Sequence, residues 1–186
     1  MKNTIKRLDD STRPDAPSLE NVTAQQKLPG QHLAMIHEHF RQNMSHLRGL
    51  IAEAEDSAAG ADAARAAAEA MPMLANCRRF GALCGQHCSI IHSHHSIEDQ
   101  AIFPGLSEKG AAWKKVTDRL QAEHEVVHAL LVKLIASLNA LGQTPCDSAF
   151  RDTLADYDAL EEVLLSHFGY EERSIGDALG YYGIGV

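Results

Sequence analysis

Four long segments with helical periodicity constrain the fold of this chain more than any other feature. Apolar residues recur every three or four positions over residues 31–55, 72–103, 111–141 and 147–175. No stretch alternates apolar and polar residues in the way that a half-buried strand requires. Because short connections place consecutive helices as antiparallel neighbours, we predict an all-α fold, an up-down-up-down four-helix bundle.

Proline and glycine residues set the expected boundaries of these helices. Pro104-Gly105 is expected to end the second helix, Gly142 the third, and the glycines from Gly176 onward the fourth. The sequence before residue 31 is polar and contains three prolines, with little periodicity. We therefore predict an N-terminal arm over residues 1–30, the helical bundle over residues 31–176 and a Gly-rich C-terminal tail over residues 177–186.

Charge and composition exclude several kinds of partner. The net charge of −8 disfavours nucleic acid, because neutralising phosphates requires a basic face. No run approaches the roughly 18 uninterrupted apolar residues of a membrane span, and the N-terminus lacks the apolar core of a secretory signal. Three of the four cysteines, Cys77, Cys84 and Cys88, fall in one helical segment where they cannot easily pair. We expect a single cytoplasmic domain.

Eleven histidines are an unusual number for this length, and a helix rotation of about 100° per residue sorts them. Some histidines and acidic residues fall on the apolar stripe of their own segment. This inward-facing set consists of His37, His94, Glu98, His124, His128, His167 and Glu171. Pairs four residues apart place their Cβ atoms about 6 Å from each other, a span that one or two metal ions can bridge.

Other residues of the second segment are expected to point elsewhere. The stripe drawn through Ile90 leaves His95 on the flank of the helix. His92 and Asp99 are turned outward by the same rotation. His87 lies on the stripe, but about 10 Å along the axis from the inward-facing set, so we expect it to make a core hydrogen bond or to act outside the metal site.

Metal binding explains the inward-facing set better than a polar core does. A single histidine on an apolar stripe is more often a core residue that is hydrogen-bonded to a neighbour. Seven buried polar groups at one level of a bundle would be very costly unless something satisfied all of them. A metal site does so without a matching hydrogen-bond donor for each group.

The order of these residues resembles that of the hemerythrin or HHE cation-binding family. The family pattern H…HxxxE…HxxxH…H stands here as His37, HHSIE at 94–98, HEVVH at 124–128 and HFGYE at 167–171. The segment HHSIEDQAIFP, residues 94–104, resembles the end of the family's second helix. The resemblance covers about residues 31–175 and implies a hemerythrin-like bundle with two iron ions joined by an oxo or hydroxo bridge. Zinc and manganese are the expected substitutes for iron.

The resemblance also implies a role for each residue of the set. The terminal ligands would be His37, His94, His124, His128 and His167. Glu98 and Glu171 would bridge the two irons. Oxygen-carrying hemerythrins close the site with an aspartate five residues after the final histidine, whereas this chain has Glu171 at four and Glu172 at five. Helix rotation favours Glu171.

Such a ligand set leaves one coordination position open on one iron. The implied ligand is dioxygen, peroxide or nitric oxide, in oxygen or iron handling or in the response to oxidative stress. Whether the site carries its ligand or consumes peroxide as an enzyme is left open by the sequence. The main alternative is a metal-bound sensing or regulatory bundle without turnover, which would reposition a helix or the N-terminal arm for a protein partner. The expected macromolecular partners are such a protein or further copies of this chain in a homo-oligomer.

Two other metal-site patterns fit the sequence less well. His124 to His128 spells H-E-x-x-H, the signature of zinc metalloproteases, but no third ligand follows and Glu125 is rotated about 100° from His124. The metalloprotease is therefore a remote alternative. A ferritin-like di-iron site needs two Glu-x-x-His pairs, and the chain offers one, with its glutamate on the wrong face.

Overall fold

The computed structural model describes residues 5–58, 84–143 and 147–185, and its long elements are all helices. Helix α1 spans Leu28–Ala58. Helix α2 comprises helical residues 84–97, a π-helical turn at Glu98–Ile102 and a last α-helical stretch at Phe103–Ser107. Helices α3 and α4 span Ala111–Gln143 and Asp147–Tyr181. The predicted all-α class is confirmed for these residues, while the expected start of helix two at residue 72 lies outside them.

The core consists of two apolar clusters at different heights along the helices. One contains Phe40 of α1 and Ile91 of α2, together with residues of α3 and α4. The other contains Leu33 of α1 and Ile102 of α2, again with residues of α3 and α4. Each helix therefore passes from one cluster to the other. The order in which the helices enter the two clusters alternates along the chain. In α1, Leu33 of the second cluster comes before Phe40 of the first, whereas in α2, Ile91 of the first cluster comes before Ile102 of the second.

The second helix does not end at Pro104-Gly105, so that expected boundary is wrong. The π-helical turn closes with the Phe103 N–H bonded to the Glu98 carbonyl, and the α-helical stretch resumes with Pro104 in its first turn. The first turn of an α-helical stretch is the position that tolerates proline best. The helix consequently continues to Ser107 and buries Phe103 and Leu106 in the core.

The fourth helix also extends beyond its expected end. It runs through the glycines to Tyr181 and buries Ala178 and Leu179. The glycines allow close backbone approach here instead of stopping the helix. A Cβ atom on Gly180 would lie 1.9 Å from the Gln26 carbonyl oxygen, and one on Gly30 would lie 2.4 Å from the Gly176 carbonyl oxygen.

Residues 5–27, which we call the N-terminal segment, contact α3 and α4. Arg119 of α3 donates hydrogen bonds to Thr12 Oγ1 and to the Asp9 carbonyl, at 2.7 and 2.9 Å. Tyr170 of α4 donates to the Pro14 carbonyl at 2.9 Å. These contacts fix the segment against the helices, whereas the division of the chain into arm, bundle and tail stays a prediction.

Helix α3 is more apolar than α1 and α4. By length and composition alone, its Ala111–Leu141 stretch would be able to cross a membrane. Its buried face, however, packs against α4 in both apolar clusters and carries the ionisable residues Glu123 and His124. These features are typical of a helix that packs its apolar face into the core of a bundle.

We predict opposite effects for two glycine substitutions in α1. Gly30→Ala should lower the free energy of unfolding by roughly 1–3 kcal/mol, because the new Cβ atom meets the α4 backbone. Gly49→Ala should raise it by roughly 0.5–1 kcal/mol, because Gly49 is exposed with nothing near its Cβ position and alanine is the better helix former. Urea unfolding of both variants checks this, and equal stabilities would contradict the close approach of α1 and α4.

Candidate metal centre

All four helices bring imidazole and carboxylate groups to one level, between the two apolar clusters. His37, His94, Glu98 and Glu171 form one group. His95, His124 and His167 form the second. Within each group, one potential ligand atom per residue lies within 4.8 Å of all the others. The two groups together offer five imidazoles and two carboxylates.

The two carboxylates connect the two groups. Glu98 Oε1 lies 3.0 Å from His94 Nε2, and its Oε2 lies 3.7 Å from His124 Nε2 in the second group. Glu171 Oε2 lies 3.5 Å from His37 Nε2 and 3.4 Å from His167 Nε2. Each carboxylate therefore faces one imidazole from either group, as a ligand that bridges two cations would.

Several atoms of this layer are buried without a hydrogen-bond partner. Within the described residues, none is found for either oxygen of Glu98 and Glu171 or for His95 Nε2. Two neighbouring carboxylates, 1% and 0% exposed, carry a desolvation penalty of several kcal/mol each unless positive charge compensates them. Burial, followed by the charge of Glu171, raises the pKa of Glu98 well above its usual range. The residues therefore fit bound cations, which would satisfy these atoms.

The imidazoles are suited to metal ligation by their charge state. Burial lowers the pKa of His37 to about 3 and that of His94 to about 4, which keeps both rings neutral. His167 differs: burial lowers its pKa, but Glu123 and Glu171 beside it raise it to about 9. A proton on His167 thus balances the buried carboxylates when no cation does so. Metal binding would release that proton.

Three imidazoles are oriented by carboxylates outside the two groups. Glu172 Oε1 lies 2.9 Å from His37 Nδ1, and Asp99 Oδ1 lies 3.0 Å from His124 Nδ1. Glu123 Oε2 lies 3.0 Å from His167 Nδ1. A carboxylate accepts a hydrogen bond, so we assign the ring proton to Nδ1 in each case. Once the additional proton of His167 has been released, the Nε2 atom of each ring has its lone pair toward the centre of the cluster.

Glu123 is held by two arginines as well as by His167. Arg13 and Arg119 donate hydrogen bonds to its carboxylate at 2.7–3.0 Å. Burial by itself would raise the pKa of Glu123, but the hydrogen bonds from His167 and the two arginines lower it to about 2. The carboxylate is therefore ionised next to His167 and remains an acceptor.

The structure brings together six residues of the predicted set but not His128. The six are His37, His94, Glu98, His124, His167 and Glu171. His128 is exposed, and its ring centroid lies 5.1 Å from that of His92 on the neighbouring helix. The prediction that His128 faces inward is wrong. Ile135 lies seven residues after His128 and therefore on the same face of α3, and it is 40% exposed.

His95 faces the cluster, so its expected place on the flank of α2 is also wrong. Its ring is buried and stacks on that of His124, with centroids 3.9 Å apart. The buried stripe of α2 alternates steps of three and four residues: Cys84, Cys88, Ile91, His95, Glu98 and Ile102. Ile90, which guided the expected orientation, is 49% exposed. The stripe of α2 is therefore rotated toward His95.

Three carboxylates of the site were not selected by helix rotation. Asp99 was expected to point outward, but it is the second residue of the wider π-helical turn, which turns less per residue and keeps Asp99 near His124. Glu172 is rotated away from the cluster, yet it reaches the outer nitrogen of His37. The burial of Glu123 could have been predicted from its spacing, because it lies three residues after Leu120 and four before Val127 on the buried stripe of α3.

The HEVVH sequence does not form a protease-like site in this structure. Glu125 and His128 are both exposed, while His124 is buried in the cluster. Glu125 and His128 line a surface cleft of about 430 Å³, whose walls also include His95 and His124. The cleft therefore leads from solvent to two of the clustered imidazoles.

His87 is buried on α2, apart from the cluster. Neither of its ring nitrogens has a hydrogen-bond partner within the described residues, so the expected core hydrogen bond is not found there. Phe40 lies between His87 and the cluster, and its ring centroid is 5.8 Å from that of His87 and 5.2 Å from that of His94. Burial lowers the pKa of His87 to about 4, which keeps the ring neutral.

Comparison with known protein families agrees with the donor set. Residues 60–179 match the hemerythrin HHE cation binding domain. No significant match is found among curated proteins or solved structures. The matched range covers more than half of the chain and carries every residue of the two groups except His37. The chain therefore belongs to the hemerythrin HHE cation-binding family.

Proposed function

We propose that this protein binds two iron ions and takes up dioxygen, peroxide or nitric oxide at one of them. The observation that carries the proposal is the pair of buried carboxylates, Glu98 and Glu171, each facing an imidazole from both groups. Mixed imidazole and carboxylate donors suit iron, and zinc or manganese would bind to the same set. The proposed ligands are His37, His94, His95, His124, His167, Glu98 and Glu171.

The donor count supports an open position on one side. His95, His124 and His167, together with Glu98, Glu171 and one further oxygen, would provide six donors for one iron. His37 and His94 would provide one imidazole fewer for the other. We therefore place the small-molecule site next to His37 and His94. The bound irons would supply a reversible change of oxidation state.

The protein around the centre would control access and orientation. The apolar clusters on both sides exclude bulk water from the polar layer. Phe40 and Phe168 pack against His37, the latter with ring centroids 4.2 Å apart. Both aromatic rings therefore border the proposed open position. They would admit dioxygen, nitric oxide or peroxide more readily than a larger ligand.

We also propose the up-down-up-down arrangement for the bundle. The alternating order in which successive helices meet the two apolar clusters supports it. A cytoplasmic location is part of the same proposal, and the buried free thiols of Cys84 and Cys88 are compatible with it.

A sensing function without turnover is the second candidate. The N-terminal segment lies on α3 and α4, the helices that supply His124 and His167. A change at the metal centre would therefore have a direct route to a surface segment. Oxygen evolution from added peroxide separates turnover from binding alone: sustained evolution indicates an enzyme, whereas a reversible spectral change on oxygenation indicates a carrier or sensor.

Iron loading is the first prediction. Protein produced in iron-replete medium should contain about two irons per chain and absorb in the near ultraviolet as oxo-bridged iron does. Elemental analysis and absorption spectroscopy measure this. Stoichiometric zinc without iron under these conditions would contradict the di-iron proposal.

The two adjacent glutamates of α4 should differ in their effect on metal content. Glu171→Gln should empty at least one metal position, because it removes the carboxylate that faces His37 and His167. Glu172→Gln should leave about two metals bound, because its carboxylate contacts the outer nitrogen of His37. Metal content of both purified variants tests this, and the reverse pattern would show that Glu172 closes the site.

The two histidines whose positions differ from expectation provide a second matched pair. His95→Ala should lower the metal content to about one ion per chain, because it removes an imidazole from the three-histidine group. His128→Ala should retain both ions, because His128 is exposed and lies beside His92. Loss of metal in the His128 variant alone would mean that α3 is rotated relative to the arrangement described.

A further inference from the structure

We propose that Arg13, in the N-terminal segment, is a positioning residue of the metal centre and acts through Glu123 on His167. The inference rests on the proposed metal centre and assigns a role to a residue that touches neither a metal nor its ligand. Arg13 also lies outside residues 60–179, the part of the chain that matches the family.

Arg13, Glu123 and His167 form a continuous hydrogen-bonded chain. Arg13 donates from Nε to Glu123 Oε1 at 2.8 Å and from Nη2 to Glu123 Oε2 at 3.0 Å. Glu123 Oε2 in turn accepts from His167 Nδ1 at 3.0 Å. The paired contact fixes the plane of the carboxylate, and the carboxylate fixes the rotation of the ring. His167 Nε2 is thereby held toward His124 Nε2, 3.1 Å away.

The guanidinium of Arg13 is itself fixed in position. Its side chain is only 12% exposed, although it comes from a segment outside the helices. It donates from Nη1 to Ser166 Oγ at 2.9 Å, and its Cζ atom lies 4.8 Å from the centre of the Tyr170 ring. The Tyr170 hydroxyl donates to the Pro14 carbonyl. The residues on either side of His167 therefore hold Arg13 and the backbone next to it.

Arg119 connects the N-terminal segment to the same carboxylate. It donates from Nε to Glu123 Oε1 at 2.7 Å, and its other nitrogens bind Thr12 and Asp9 of the segment. Glu123 thus joins the segment to His167 through both arginines. If the segment left, Glu123 would lose one arginine and the second would lose the groups that orient it.

This arrangement links the position of the segment to metal affinity. Because coupling between two sites is reciprocal, a docked segment that favours metal binding implies that bound metal favours docking. The linkage concerns the group of His95, His124 and His167, because His167 belongs to it. The group of His37 and His94 has no such contact with Arg13 among the described residues.

The test compares Arg13→Ala with Arg7→Ala by titration of the metal-free full-length protein with Co²⁺. Arg7 is a second arginine of the N-terminal segment and pairs with Glu162 of α4, but both are exposed and Glu162 holds no member of the two groups. Arg13→Ala should weaken the binding of one of two Co²⁺ ions about 10-fold, the low end of the effect of losing an outer-shell partner. The visible absorption bands of that ion should shift. Arg7→Ala should change neither the affinity nor the bands.

Two further measurements keep the test decisive if Arg13→Ala is poorly folded. Arg13→Lys keeps the charge but loses the paired geometry, so its Co²⁺ affinity should fall between those of the wild type and Arg13→Ala. In the wild type, Co²⁺ should slow amide hydrogen exchange of residues 9–13. Equal affinities and bands in all variants, with no effect of Co²⁺ on exchange, would overturn the role of Arg13 alone. Failure of the wild type to bind Co²⁺, zinc or iron would overturn the proposed metal centre as well.

Discussion

The rest of the structure depends on one polar layer, in which Glu98 and Glu171 are buried among five imidazoles. Such a layer is unstable in an apolar bundle unless its charges are compensated. The apolar clusters above and below confine it to a single level, and every helix contributes to it. This level is also where α2 changes to a π-helical turn at Glu98, an irregularity that is frequent at functional sites.

The polar layer extends outward through hydrogen bonds to carboxylates and then to arginines. Glu172 and Asp99 are partly exposed, whereas Glu123 is buried and is kept ionised by hydrogen bonds from His167 and two arginines. The surroundings of the metal centre therefore include the N-terminal segment, which the family match does not cover.

Much of this arrangement was predictable from the spacing of residues in the sequence. Helix rotation selected His37, His167 and Glu171 because each lies in the middle of a clear apolar stripe. It failed for His95 and His128 because the expected stripes passed through Ile90 and Ile135, which are exposed in the structure. The contacts between Glu123 and Arg13 were beyond prediction, because they join distant parts of the chain. Pro104 does not end α2 because it follows a π-helical turn, after which the helix continues. Gly180 does not end α4 because it lies within the helix, where it allows close approach of the Gln26 backbone.

Anomalous X-ray diffraction at the iron absorption edge tests the central claim most directly. The account predicts two iron peaks within the polar layer, both next to Glu98 and Glu171. One peak should be bounded by His37 and His94, and the other by His95, His124 and His167. A single peak, or a peak between His92 and His128 with none in the layer, would contradict it.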